Sequence, residues 1–121
     1  MSHISRIKTK MVEEEFLTQA LTDLGYTWQV VEHRAGQRVK TRFKSGLISR
    51  EVNFVKAGDT YSMSADWWGI PTAERQKFQE QLLQRYAYHA ACSKFQAQGF
   101  DLVSEEARES GQIRLVLRRV A

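Results

Sequence analysis

Ile48-Ser49-Arg50-Glu51-Val52-Asn53-Phe54-Val55-Lys56-Ala57-Gly58-Asp59-Thr60-Tyr61-Ser62-Met63-Ser64-Ala65 is the stretch whose reading decides the fold. Ile48 to Lys56 reads as a strand, Ala57-Gly58-Asp59 is a hairpin signal, and Thr60 to Ala65 is the return strand. Tyr61, Met63 and Ala65 share one face of that return strand, so one side of the hairpin is built to be covered. Upstream, Ser45-Gly46 interrupts an earlier alternating run, Arg38 to Lys44. His33 to Gln37, with Gly36 inside, is a turn. Tyr26 to Glu32 is rich in β-branched and aromatic residues and reads as a further strand. Before it, Glu13-Glu14-Glu15 opens a helix whose Phe16, Ala20, Leu21 and Leu24 recur at helical spacing up to Gly25. Met1 to Met11 reads as an edge-like strand. Downstream, Pro71 closes the meander and Thr72 is an N-cap for a helix that runs to Gln98 without Gly or Pro. Its apolar positions, among them Phe78, Leu82, Tyr86 and Phe95, form a stripe suited to lying across a sheet. Gly99 ends it. Phe100 to Glu105 and Gln112 to Val120 make a final hairpin across a polar turn containing Ser110-Gly111.

The order is strand, helix, three or four strands, helix, two strands. That is the α+β solution: a two-layer sandwich, a mainly antiparallel sheet with two helices on one face. Strand-helix-strand at each end suggests a ferredoxin-like core with extra strands. Local pattern leaves the strand order open. With 121 residues, a single α+β domain over 1–121 is expected. At 42% hydrophobic and 26% charged, the composition is that of a soluble globular protein. No apolar run approaches the ~20 residues of a transmembrane helix. The one cysteine, Cys92, excludes an internal disulfide, so no oxidising compartment is required. The first residues lack the pattern of a secretory or transit leader, and the expected location is the cytoplasm, or the plastid stroma for an organelle-encoded chain.

Several stretches taken together resemble a known family. They are Met1-Ser2-His3 with Ser5-Arg6-Ile7-Lys8-Thr9, then Ala20-Leu21-Thr22-Asp23-Leu24-Gly25-Tyr26, then Ala65-Asp66-Trp67-Trp68-Gly69. Gln84-Arg85-Tyr86-Ala87-Tyr88-His89 and Gly111-Gln112-Ile113-Arg114-Leu115-Val116-Leu117-Arg118-Arg119 complete the set. In this order and at these distances the chain is similar to the plastid hypothetical reading-frame-thirty-five family of cyanobacteria, their phages and algal plastids. The resemblance spans essentially the whole chain and implies a cyanobacterial or plastid setting. It implies no activity, substrate or cofactor. The basic stretch Arg38 to Lys44 matches the family pattern least.

Three constellations could carry chemistry. In Arg38-Val39-Lys40-Thr41-Arg42-Phe43-Lys44, a period of two puts Arg38, Lys40, Arg42 and Lys44 on one face. Between Arg34 and Arg50 there are six basic residues and no acid. The ordinary reading is a solvated edge strand that uses charge to block aggregation. The functional one is a surface for an acidic partner or for nucleic acid. Four phosphate contacts would give a salt slope of about −3 to −4, which is weak, non-specific binding. Asp66-Trp67-Trp68 is the second constellation. Adjacent tryptophans in an extended chain point oppositely, so one belongs to the core and the other is at least partly exposed, where it could serve an interface. Third, Tyr86 and His89 are three apart on the second helix, as are His89 and Cys92, so each pair shares a face, and a ferredoxin-like order would bring His3 near them. His3, Tyr86 and His89 are thus a candidate pocket for an enzyme or metal site, against a reading in which His89 is a hydrogen-bonded helix residue and Cys92 a small apolar one. An Asp66–His89 dyad is excluded by length, since His89 lies about 25 Å along the helix from Thr72. No CxxC or HxxxH spacing, phosphate loop or nucleophile motif occurs, so no metal or cofactor is expected. The sequence therefore points to a small accessory protein that binds another macromolecule, in the first place a protein, through Asp66, Trp67, Trp68, Arg38, Lys40, Arg42 and Lys44.

Overall fold

The computed structural model describes residues 4–33, 36–107 and 112–120, apart from the side chains of His33 and Ala107. The elements are β1 (Ile4–Lys8), α1 (Glu14–Asp23), β2 (Trp28–His33), β3 (Gly36–Ser45), β4 (Ile48–Ala57), β5 (Thr60–Asp66), α2 (Thr72–Ala97), β6 (Phe100–Ala107) and β7 (Ile113–Arg119). The first five strands form an antiparallel sheet in the order β1-β5-β4-β3-β2, and β6 pairs with β7 in a sheet of two. The fold is α+β. The chain divides into two compact units, Met1–Tyr86 and Ala87–Ala121, with the boundary inside α2.

The hairpin signal behaves as its chemistry dictates. Gly58 takes φ +68°, which only a residue without Cβ adopts freely, and β4 returns as β5 with Phe54 opposite Met63 and Val52 opposite Ala65. Val39 and Phe54 are likewise opposed, so Val39, Val52, Phe54, Met63 and Ala65 line one face, all buried. Burying each large one stabilises the fold by about 1.5–3 kcal/mol. On this inner face the Phe78 ring of α2 lies 5.2 Å from the rings of both Phe43 and Tyr26. Thr41 is buried among apolar neighbours, but its hydroxyl donates to the Thr27 carbonyl at 2.7 Å, so no polar atom is stranded there.

At ten residues, α1 is too short to persist alone. Leu17, Ala20 and Leu21 bury its inner stripe. Trp28 Nε1 donates to Thr22 Oγ1 at 2.9 Å, and Arg85 of α2 bridges Asp23 at 2.8 Å. Its N-terminus has an unusual cap. Glu13 makes no side-chain capping bond; instead the Tyr86 hydroxyl accepts the backbone N–H groups of Val12 and Glu13 at 2.9 and 2.8 Å.

A ferredoxin-like sheet sets the chain's last strand beside its first. Here β1 neighbours β5, and β2 to β5 form a meander. The departure is at the end of the chain: β6 and β7 pair with each other, and the five-stranded sheet contains neither. Their charges favour that pairing, since Asp101 stands opposite Arg118 and Glu106 opposite Arg114. In this second unit the Phe95 and Phe100 rings meet edge-on at 6.3 Å, and the Arg119 guanidinium lies 5.3 Å from the Phe100 ring centre. No described side chain beyond Tyr86 is buried. The final turn containing Ser110-Gly111 lies outside the described residues.

Candidate functional site

Read from sequence alone, Arg38–Lys44 is an edge strand. The structure corrects this: β3 is paired on both sides, with β2 and with β4. Val39, Thr41 and Phe43 are buried, but an alternating strand with one wet face looks the same at the edge or in the middle of a sheet. The consequence is electrostatic. Arg38, Lys40, Arg42 and Lys44 are displayed from the interior of the sheet, on the face opposite the helices.

The register shows what surrounds them. Lys40 stands between Gln29 and Asn53, Arg42 opposite Glu51 and Lys44 opposite Ser49. One strand further, Ser62 and Ser64 follow, and on β1 Arg6 and Lys8 come up on the same face beside them. Six cations thus share this outer face with two described acids, Glu51 and Asp66. Lys40 Nζ lies 3.5 Å from Glu51, and Arg42 donates to Ser49 Oγ at 3.0 Å. Burial pushes the Glu51 carboxyl up, but the Asn53 hydrogen bond and the charges of Lys40 and Arg38 outweigh it and hold it below the usual carboxylate range. The Asp66 carboxylate accepts the Trp68 N–H at 3.0 Å, which turns the chain at the end of β5. Arg42 borders two hollows, one of about 350 Å³ towards Thr27 and Trp28, the other of about 370 Å³ towards Ser49 and Asp66.

The tryptophan pair divides as its alternation requires. Trp67 is 6% exposed and packs against Phe43, ring centres 5.7 Å apart, whereas Trp68 is 60% exposed. Arg50 holds the second one, donating to the Trp68 carbonyl at 2.9 Å with its guanidinium 5.9 Å from the indole centre. Gly69 follows at φ +81°, and a Cβ there would come within 2.7 Å of Ile48 Cδ1.

The candidate pocket of His3, Tyr86 and His89 fares differently. His3 lies outside the described residues. Tyr86 is buried, with its hydroxyl oxygen occupied by two backbone donors, which is a structural task. His89 belongs to the second unit, where its ring meets Tyr88 at 5.0 Å. Tyr88 itself is pushed up to about 12, by burial first and then by its hydrogen bond to Glu105 and the neighbouring Cys92. Among the described residues no cluster of three or more His, Cys, Asp or Glu could hold a metal ion. Arg6, Lys8, Arg50 and Glu51 are the site residues that sequence reasoning misses. Arg6 and Lys8 alternate with Ser5 and Ile7, but their kinship with β3 needs the strand order.

No helix among the described residues is long and apolar enough to cross a membrane. No solved structure matches the chain. Three curated relatives do, each described as an uncharacterized protein ycf35. Those of Guillardia theta and Cyanophora paradoxa are both 33% identical to this chain, and that of Pyropia yezoensis is 29% identical. Each match covers 98% of both chains. Residues 20–116 match DUF1257, described as a protein of unknown function. The chain belongs to the DUF1257 family, and it is similar to the ycf35 proteins over nearly its whole length.

Proposed function

We propose that this is a small non-enzymatic accessory protein, of cyanobacterial or plastid setting, that binds an acidic protein surface on the outer face of its five-stranded sheet. The observation that carries the reading is the position of β3. Four of its cations rise from the interior of the sheet, joined by Arg6 and Lys8, with Glu51 and Asp66 as the acids of that face. Like charges crowded in the middle of a rigid layer cannot move apart, so an anionic partner relieves them. Exposed Trp68, steadied by Arg50, supplies an aromatic anchor beyond the end of β5. Nucleic acid is the weaker reading, because β2 and β3 turn Trp28 and Phe43 to the helix side and the described side chains of the basic face include no aromatic ring on which a base could stack.

The test compares the tagged protein with Arg42→Glu/Lys44→Glu in extracts of its native cell, read by mass spectrometry. Both residues are exposed, so the double variant is expected to fold. A partner enriched by the parent protein is expected to fall about tenfold with the variant, and to be lost progressively as salt is raised. Capture that is unchanged by the charge reversal would sink the proposal. Capture abolished by nuclease would transfer the surface to nucleic acid.

A further inference from the structure

Besides the two hollows at Arg42, a further concavity lies between the β1–α1 connection and α2. It has a volume of about 290 Å³, near the lower limit of small-molecule sites. Ile7, Met11, Met63, Leu82 and Leu83 give it aliphatic walls with no aromatic ring among them. Leu83 is 46% exposed although it sits one residue from the buried Leu82, so its apolar surface remains available. Two features are out of keeping with an idle gap in the packing. Gln79 lines the cavity, and its amide nitrogen Nε2 is buried without a hydrogen-bond partner among the described residues, a costly state that an acceptor oxygen would relieve. Lys8 and Lys10 also line it, both exposed, and no acid does.

We infer that this cavity is a binding site for a small aliphatic carboxylate. The hydrocarbon chain lies against methionine and leucine side chains, whose flexible surfaces adapt to an unbranched partner. The carboxylate oxygens accept from Gln79 and are attracted by Lys10, with Lys8 at the border where β1 meets the basic face. A neutral or cationic ligand of the same length would bury the same carbon but leave the amide unpaired or face like charge. Recognition thus rests on one unsatisfied donor and a one-signed rim. The site shares Lys8 with the basic sheet face but neither Arg42 nor Lys44, so Arg42→Glu/Lys44→Glu leaves its lining unchanged.

Decanoate and decylammonium are the probes, titrated into protein carrying ¹³C-labelled methionine methyl groups. Decanoate is expected to shift the Met11 and Met63 methyl signals saturably, with half-saturation below about 1 mM. Decylammonium is expected to bind at least about tenfold more weakly, and Gln79→Leu to weaken decanoate by about tenfold, the worth of one charge-assisted hydrogen bond. Leu83→Asp, at a half-exposed position, puts a carboxylate on the wall and is expected to abolish the shifts while the melting transition persists. The inference is overturned by shifts at these methyls that do not saturate, by equal binding of the two probes, or by full affinity in the folded Gln79→Leu protein.

Discussion

One phenol holds the start of the first helix. The Tyr86 hydroxyl takes over the capping task that Glu13 leaves undone, reaching backbone donors 74 and 73 residues away in sequence. Tyr86→Phe keeps the ring against Phe16 and removes only the acceptor, so it is expected to cost about 1–3 kcal/mol, seen as a lower urea midpoint at unchanged slope. A phenol needed for proton transfer would leave the midpoint where it was. Two ionisations bracket the stable range. Glu51 is held below its usual range, so its contribution is complete above the ordinary carboxylate pKa and is lost as pH falls through its lowered folded value. For Tyr88, raised to about 12, the sign is the opposite. Its stabilisation is complete below the ordinary phenol value near 10 and is lost as pH climbs through the folded value. Alkaline denaturation followed by circular dichroism is expected to show a step in that window that is smaller in Tyr88→Phe, since Tyr26 and Tyr61 are also pushed up by burial. None of this is legible in the residue string. Tyr86 stands out there as a member of the apolar stripe and a neighbour of His89, but not as a cap, because its partners come from the far end of the sequence.

Between β5 and α2 the chain makes its tightest structural decision. Trp67 fills the aromatic cluster with Phe43 and Phe78, and Trp68 is turned out beneath Arg50. Trp67→Ala is expected to cost about 3–5 kcal/mol through the void it leaves. Trp68→Ala is expected to stay within about 1 kcal/mol, so urea titration of the two variants separates a packing residue from a surface one. Gly69→Ala meets two penalties, the left-handed backbone and the approach of Ile48, and is expected to lower stability by about 1–3 kcal/mol. The divided tryptophans, the hairpin at Gly58 and the limits of both helices were all readable, because each depends on alternation, helical period or a special backbone angle close by. The place of β3 was not. Its neighbours β2 and β4 impose the same inside-outside alternation that an edge would, and only the pairing distinguishes them.

Among the described residues, buried side chains end at Tyr86. The sheet of five strands carries the apolar core, whereas the second unit relies on half-covered contacts such as Phe95 on Phe100. Hydrogen exchange is therefore expected to be slower in β4 and β5 than in β6 and β7, and equal protection of the two sheets would contradict this account of where stability resides. The final hairpin itself was legible from alternation, but its separation from the larger sheet was not, because cross-strand pairs such as Glu106 with Arg114 declare themselves only in register. The three tryptophans carry one last consequence. Trp67 is sealed, Trp28 is partly open with its indole N–H bound to Thr22, and Trp68 faces solvent. Intrinsic fluorescence is therefore expected to have a blue, quencher-resistant component and a red one that acrylamide can reach. Loss of the red component when a partner is added would report coverage near Trp68 optically, without any label.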